Sequence, residues 1–215
     1  MAADNQTGGR GTRGRSFFCY DGGLYLSLFM TPKKEIFDAA TAYAGVAVCL
    51  AIEKLTDKKP CIKWVNDIYR GGKKICGILC ESVDLKDRKK GIIIGVGLNI
   101  VPPAGGFPPE IEKKAGAVFS NDGARPTSDI KNLMCAEIVN QIYSLCEKSR
   151  DQVLFEYRSR LFIKGREITF CQNGQTFRAT AENADDRFRL VVSFPSGQKK
   201  TLQSGEVTLL EYGEQ

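Results

Sequence analysis

Four short segments of the sequence combine glycines with charged or amide side chains, a composition that suits a site for an anionic ligand. The first, Gln6–Arg15, holds three arginines among four glycines. Glycine lets backbone N–H groups approach a ligand closely, and the forked guanidinium matches a carboxylate or a phosphate. The same composition is also typical of a flexible basic chain end. The spacing Gly-x-x-x-x-Gly-Lys-Ser/Thr is absent, so the segment is not a P-loop.

The other three segments lie in predicted strands or at their ends. Lys63–Tyr69 places a lysine, an amide and a carboxylate at a strand end, where open α/β sheets bind ligands, although Asn-Asp also suits an ordinary turn. Lys73–Leu79 carries a lysine into an apolar strand, either as an edge residue that reaches solvent or as a catalytic cation. Gly77, inside that strand, predicts close approach of a ligand or of another backbone. Gly95–Asn99 ends a strand with two glycines and an amide that can donate and accept.

Periodicity and turn residues predict the elements that must position these segments. Helical spacing of apolar residues covers 34–55 and 129–148, and a third helix is predicted over 151–161. Short apolar runs predict strands over 24–29, 61–65, 74–83 and 91–98. The consecutive isoleucines at 92–94 predict a strand that is covered on both faces. After Lys164, short alternating runs separated by turn signals such as Asn173-Gly174 predict a small antiparallel barrel.

Composition excludes several classes of protein and of site. The chain is 42% hydrophobic, yet no apolar run approaches the roughly 18 residues of a membrane helix, and Met1–Arg15 lacks the apolar stretch of a secretory signal. The net charge of +6 is mild for a DNA-binding surface. Eight cysteines, several inside apolar runs, are typical of buried reduced thiols and therefore of the cytoplasm. Without histidine or Cys-x-x-Cys, catalysis by Ser-His-Asp or Cys-His and a structural zinc site are not expected.

Taken in this order, the four segments resemble the catalytic domain of biotin–protein ligases. That family carries a Gly-Arg-Gly-Arg-x-Gly-Arg loop, a Lys-Trp-Pro-Asn-Asp segment, a Lys-x-x-Gly-Ile-Leu strand and a Gly-x-Gly-x-Asn strand end. These motifs stand here as Gly9–Arg15, Lys63–Asp67, Lys74–Leu79 and Gly95–Asn99, with further matches at Ser16–Phe18 and Gly23–Ser27. The resemblance covers nearly the whole chain, and four ordered motifs make it specific.

The resemblance implies an α/β fold of the class II synthetase-like biotin/lipoate ligase type. A mixed β-sheet flanked by helices would occupy residues 1–163, and an SH3-like barrel would occupy 164–215. In the family a strand and a helix precede the arginine loop; this sequence would begin inside the next strand and leave a sheet edge exposed. The family's DNA-binding N-terminal domain would also be missing from this sequence, so the resemblance implies no DNA partner and no repressor role. Bacterial members often pair through a sheet edge, which leaves a homodimer open, and no membrane partner is expected.

The resemblance also implies a reaction: biotin and ATP, with Mg²⁺, give biotinoyl-AMP, and biotin then passes to a lysine of the biotin carboxyl carrier domain of a carboxylase. Cations must neutralise the encounter of a carboxylate with a triphosphate. The implied catalytic residues are Lys74, Arg10 and Asp67, with Asp67 also near the metal. The implied biotin-binding residues are Gln6, Arg10, Gly11, Thr12, Phe17, Lys74, Gly77 and Leu79. The implied nucleotide-binding residues are Arg13, Arg15, Lys63, Asn66, Gly95, Gly97 and Asn99.

Two substitutions depart from the family pattern, and three alternatives stay open. Thr12 stands where an arginine is common, which removes one cation, and Val65 replaces a proline. The first alternative is a shortened, catalytically impaired relative that binds biotin or the adenylate weakly. The second is lipoate or octanoate transfer, although the Arg-Arg…Gly-Gly-Gly pattern and histidine of those relatives are missing. The third is a nucleic-acid module that would stack bases on Phe177, Phe188 and Phe194, whereas core packing is the ordinary role of such residues.

Overall fold

The computed structural model describes residues 1–120, 126–172, 174–203 and 207–209, apart from the side chains of Arg13 and Arg88. The strands are β1 Ala2–Ala3, β2 Gly23–Met30, β3 Cys61–Lys63, β4 Asp67–Arg70, β5 Lys73–Asp84, β6 Lys90–Asn99, β7 Glu167–Gln172, β8 Gln175–Ala184, β9 Leu190–Ser193, β10 Lys199–Leu202 and β11 Val207–Leu209. The helices are α1 Lys34–Phe37, α2 Ala40–Leu55, α3 Ile130–Cys146 and α4 Arg150–Ser159. The predicted helix over 34–55 is thus two helices, because Ala39 leaves helical geometry.

The larger sheet has the strand order β1-β2-β6-β5-β4-β3. Every neighbouring pair in it is antiparallel, so the prediction of a mixed sheet is wrong. The physical reason is that β3 to β6 follow one another through short turns, whereas a parallel pair needs a long crossover. Parallel pairing among the described residues is confined to the isolated bridges Ile62–Leu161 and Lys74–Ala115. At the edge, β1 pairs with β2 through Ala2–Leu26 and Ala3–Tyr25.

Helices α2 and α3 cover one face of this sheet and leave the other face for a site. Helix α2 is apolar around most of its circumference and is almost wholly buried, as expected for a helix at the centre of a core. It packs against α3 and α4 on one side and against β3 to β6 on the other. The prediction that both faces of the 92–94 segment are covered is therefore wrong in one respect: Ile92 and Ile94 are buried, but Ile93 is half-buried and points to the open face. Among the described residues, no helix is long and apolar enough to cross a membrane.

The C-terminal strands form a second antiparallel sheet, in the order β10-β9-β8-β7-β11. Its alternation of buried and exposed residues confirms the strands predicted after Lys164. Among residues 166–172, 174–203 and 207–209, no pairing joins β10 to β11, so a closed SH3-like barrel stays a prediction. Between ring centroids, Phe177 and Phe194 lie 5.5 and 6.3 Å from Phe170 and 6.4 Å from each other, and Phe188 is buried. Phe188 is thus a core residue, as its ordinary role suggested, whereas Phe177 and Phe194 are half-buried rings packed against the core.

Phe188 joins this second sheet to the larger unit. Its ring lies edge-on to Tyr43 of α2 at 6.0 Å and to Tyr157 of α4 at 5.4 Å. Its backbone lies in the left-handed region at φ 59°, which non-glycine residues adopt only when their surroundings hold them there. Asp185 supplies much of that support, because its carboxylate accepts from the backbone N–H groups of Arg187 and Arg189 and from the Arg189 guanidinium at 2.8 Å.

Replacing Asp185 with asparagine is expected to lower the free energy of unfolding by about 1 kcal/mol near neutral pH, because the charged acceptor for Arg189 is lost. Burial alone raises the pKa of Asp185, but the Arg189 side chain and two backbone N–H groups outweigh it and hold that pKa below the ordinary 3.8. The carboxylate's contribution is therefore complete above that value and is lost as the pH falls through the folded-state pKa. Urea unfolding of both proteins across the acid range should show the difference vanish; an undiminished difference would contradict this assignment.

The cysteines are free among the described residues, and their burial varies. Cys49 and Cys76 are buried, and burial raises the pKa of both thiols. Burial also raises the pKa of Cys61 to about 11. Cys171 is exposed on β7 and the other five are half-buried, so the expectation of buried thiols holds for only two of the eight.

Candidate active site

The floor of the site is a row of residues that the antiparallel register places side by side on the open face. Tyr25 of β2 pairs with Gly97 of β6, Gly97 pairs with Gly77 of β5, and Gly77 pairs with Asp67 of β4. The next row along the strands consists of Ser27, Gly95 and Leu79. Strand alternation sends these side chains to one face while Leu24, Leu26, Ile78 and Leu98 point into the core.

The position of the Phe17 ring explains why the two central residues of this row are glycines. A Cβ atom at Gly97 would lie 2.7 Å from the Phe17 ring, and one at Gly77 would lie 3.1 Å from it. The ring also meets Tyr25 edge-on at 6.5 Å. Close approach to Gly77 was predicted for a ligand or a backbone, and in this structure an aromatic side chain makes it. Phe17 thereby becomes a wall of the site that stands directly on the sheet.

Lys74 and Asp67 form an ion pair at the end of the glycine row. The Lys74 Nζ lies 2.6 Å from Asp67 Oδ1, and the two side chains are 33% and 21% exposed. The backbone of Lys74 is held by a second segment: its N–H donates to the Lys114 carbonyl, and its carbonyl accepts from the Gly116 N–H. The structure thus brings together two of the residues to which the resemblance assigns catalysis, and it fixes the lysine by backbone contacts on its strand.

The turn that carries Lys63 and Asn66 is bound to β5. The Asn66 carbonyl accepts from the Ile78 N–H at 2.9 Å, and the Asn66 side-chain amide donates to the Ile78 carbonyl at 3.0 Å. Asn66 therefore uses its amide to hold the turn as well as lining the cavity. Lys63 lies with its Nζ 5.4 Å from the Tyr69 ring centroid. The Trp64–Val65 peptide bond, at the departure from the family pattern, is cis.

The arginine loop folds back over the open face. The Phe17 N–H donates to the Gly9 carbonyl at 2.9 Å, the Gly11 N–H donates to the Arg15 carbonyl at 2.6 Å, and Arg10 bridges to Ser16. Gln6 is attached to the same loop, since its amide donates to the Cys19 sulfur at 3.1 Å. These contacts close the loop and bring Arg10 and Arg15 to the cavity wall.

The loop and the sheet enclose a cavity of about 540 Å³. The residues assigned by resemblance that line it are Gln6, Arg10, Gly11, Thr12, Arg15, Phe17, Lys63, Asn66, Asp67, Lys74, Gly77, Leu79, Gly95 and Gly97. Its charged lining side chains are Arg10, Arg15, Lys63 and Lys74 against Asp67 and Glu81. The excess of cations over carboxylates favours an anionic ligand. The side chain of Arg13 lies outside the described residues.

Asn99 does not line this cavity. It is buried, and its side-chain amide donates to the Gly116 carbonyl at 2.8 Å. Its carbonyl oxygen Oδ1 is also buried and has no hydrogen-bond partner within the described part of the chain. A buried acceptor without a donor is unfavourable, so Asn99 retains the capacity to bind an N–H group. Its nucleotide-binding role stays a prediction.

Several lining residues were not anticipated. Tyr25, Ser27, Glu81 and Ile93 line the cavity, and strand alternation from Gly77 and Gly97 would have found them. The Tyr25 hydroxyl donates to the Tyr20 carbonyl and accepts from the Tyr20 N–H, and burial raises its pKa, so it stays neutral. Val207 of β11 also lines the cavity. No local signal marks Val207, because only docking of the second sheet brings it there.

Comparisons with known proteins show which proteins this chain resembles. Residues 1–99 match the model of the biotin/lipoate A/B protein ligase family. The bifunctional ligase/repressor BirA of Bacillus subtilis is 35% identical over 128 residues, which are 58% of this chain and 39% of that protein. The chain thus matches about two-fifths of the length of this relative. The biotin--[acetyl-CoA-carboxylase] ligase of Mycobacterium tuberculosis is 25% identical over 224 residues, covering 98% of this chain and 78% of that protein.

Solved structures agree with the sequence relatives. The biotin protein ligase from Aquifex aeolicus in complex with biotin and ATP superposes with a TM-score of 0.77 and 25% identity, covering 97% of this chain and 87% of that one. The likeness extends over the larger sheet and the C-terminal sheet together, since nearly the whole chain is included. Over residues 1–99 the chain is similar to the biotin/lipoate A/B protein ligase family, and the curated relatives and solved structures that it resembles over most of its length are biotin ligases.

Proposed function

We propose that this chain activates biotin with ATP to biotinoyl-5′-AMP and then transfers biotin to a lysine of a biotin carboxyl carrier domain. The observation that carries the proposal is the Lys74–Asp67 ion pair in a cavity whose other charges are mostly arginine and lysine. Both substrates of the first step are anions, and the cavity supplies cations where they must meet. The Aquifex aeolicus relative, which covers nearly the whole chain, is a complex with both biotin and ATP.

In the first step a carboxylate oxygen of biotin attacks the α-phosphorus of ATP, a P–O bond forms, and the bond to pyrophosphate breaks. Lys74 is placed to contact the carboxylate and the reacting phosphate, because its Nζ stands beside Gly77 on the cavity floor. Arg10 and Arg15 also line the cavity and would offset the charge of the phosphates. Such fixed charges lower the barrier by stabilising negative charge that moves during the reaction. Phe17 and Leu79 supply apolar walls for the biotin side.

The cavity has the groups for positioning and charge stabilisation, and these suffice for this chemistry. In the second step the acceptor lysine, as a free amine, attacks the acyl carbon of the mixed anhydride, AMP leaves, and the amine proton is released. A closed arginine loop would shield that anhydride from water. Its backbone hydrogen bonds give it the closed shape already.

A Mg²⁺ ion fits the site only as a partner of ATP. Within the described residues no group of three or more His, Cys, Asp and Glu side chains could hold a metal. Mg²⁺ is commonly held by one or two carboxylates together with substrate phosphates, and Asp67 lines the cavity. Asp67 would hold such an ion, which would neutralise phosphate charge. Without ATP, Asp67 instead pairs with Lys74.

The test is to incubate the chain with biotin, MgATP and a biotin carboxyl carrier domain, and to measure biotin on the carrier by mass. We expect transfer that depends on both the chain and ATP and that is lost when the acceptor lysine of the carrier is changed to arginine. Biotin-dependent exchange of pyrophosphate into ATP reports the first step alone. Exchange without transfer would restrict the proposal to adenylate formation, and absence of both would favour the alternative of an impaired relative.

A further inference from the structure

Phe188 presents a fixed backbone carbonyl to the larger unit of the protein. The residue is 4% exposed, and its ring is enclosed by Tyr43 and Tyr157. Its positive φ is maintained by the Asp185 turn, so the direction of its carbonyl is set by the C-terminal sheet. A carbonyl held in this way can orient whichever donor it meets.

The donor is the indole of Trp64. Its Nε1 donates to the Phe188 carbonyl at 3.1 Å, and the bond is buried. Trp64 is itself 3% exposed and begins the turn between β3 and β4. That turn has two anchors: the paired hydrogen bonds of Asn66 with Ile78 on β5, and the single bond to Phe188 on the second sheet. The catalytic carboxylate of Asp67 follows immediately after the turn.

We infer that Phe188 is a positioning residue for the reaction, acting through Trp64 on the turn that carries Lys63 and Asp67. The inference rests on the proposed function. The ion pair between Asp67 and Lys74 at 2.6 Å depends on where β4 begins, and the buried bond to Phe188 fixes the first residues of the turn. A shift of about 1 Å in a catalytic group can lower a rate on the order of a hundredfold. Through this bond the second sheet would position the turn without Phe188 itself lining the cavity.

Trp64→Phe tests the inference, because it removes the indole donor and keeps an aromatic ring. Arg158→Met is its matched control: Arg158 Nε donates to the Ala184 carbonyl at 2.8 Å, so this variant also removes one donor to the C-terminal sheet but leaves the turn untouched. We expect Trp64→Phe to lower kcat of biotin-dependent pyrophosphate exchange roughly tenfold. The dissociation constant of biotin should stay unchanged, because the residues assigned to biotin lie between Gln6 and Phe17 and on β5. Arg158→Met should leave kcat within about twofold of the unmodified chain.

Equal losses of kcat in the two variants, in proportion to their losses of thermal stability, would overturn the inference and make Phe188 a merely stabilising residue. So would a Trp64→Phe variant with unchanged kcat. Trp64 is the single tryptophan of the chain, so its fluorescence gives a further check. Phe188→Leu should shift the Trp64 emission, whereas Arg158→Met should not; an unchanged spectrum in Phe188→Leu would also count against the inference.

A readout independent of activity separates this inference from the proposed function. The Ile78 N–H is bonded to the Asn66 carbonyl, so its hydrogen exchange reports how well the turn is held. Trp64→Phe should accelerate exchange at Ile78 and along Asp67–Arg70, and Arg158→Met should not. If the unmodified chain shows no biotin-dependent exchange of pyrophosphate, the proposed function fails, and the hydrogen-exchange result still decides the positioning role of Phe188. Equal exchange in both variants would refute that role.

Discussion

Replacing Lys74 with methionine should lower biotin-dependent exchange of pyrophosphate into ATP on the order of a hundred- to a thousandfold, the usual cost of removing one fixed donor from a site of developing charge. Methionine keeps most of the aliphatic length and removes the ammonium. The backbone of Lys74 would still pair with Lys114 and Gly116, so β5 should keep its place. What is lost is the cation on the cavity floor, and with it the partner of Asp67 at 2.6 Å.

The neighbouring Lys73→Met is the control for this variant. Lys73 has the same side chain, lies next along the same strand, and reaches the Glu112 carbonyl at 3.3 Å on an exposed surface. Its removal should change the rate by less than about twofold, as is usual for an exposed residue outside the site. Near-normal exchange in Lys74→Met would remove the central cation from the proposed mechanism. Similar losses in both variants would point to the integrity of β5 and not to the chemistry of one ammonium group.

Gly97→Ala should abolish measurable biotin binding or weaken it by tenfold or more, at a cost in stability of about 1–3 kcal/mol for overpacking. The added Cβ would stand 2.7, 2.9 and 3.1 Å from three atoms of the Phe17 ring. The ring cannot move toward β5, because it already packs against Gly77. A Cβ atom placed on Gly77 would lie 3.1 Å from the ring. Phe17 must therefore leave the sheet and enter the cavity or carry the arginine loop with it.

Two further variants make this prediction specific. Gly45→Ala in α2 adds a Cβ whose nearest neighbours lie 3.7 to 3.9 Å away, so it should keep biotin affinity and raise stability by up to about 1 kcal/mol through helix propensity. The double variant Gly97→Ala with Phe17→Leu should recover part of the lost affinity, because the smaller side chain relieves the contact. Isothermal titration with biotin measures all three. Full affinity in Gly97→Ala would show that Phe17 does not need its present position for binding.

Local periodicity predicted the elements whose stability depends mainly on their own residues. Helix α3 spans Ile130–Cys146 where the sequence predicts 129–148, and β5 and β6 each extend the predicted strand by one residue at each end. The spacing of apolar residues in these elements shows which face is buried, so the elements can be predicted from the sequence alone. The motifs likewise identified most of the cavity lining, because each motif is continuous in sequence and the register of three adjacent strands brings them into one row.

The sequence by itself therefore predicted the main secondary structure and the cationic groups that line the cavity. Tertiary structure alone decided the pairing of β2 with β6, the packing of Phe17 on Gly77 and Gly97, and the bond between Trp64 and Phe188, which are separated by 124 positions. The physical reason is the same for each: a contact between distant residues is set by how whole elements pack, and the types of the two residues carry no mark of their partner. Asn66 is one example. The sequence predicts that its amide binds a ligand, whereas in the structure the amide donates to the Ile78 carbonyl.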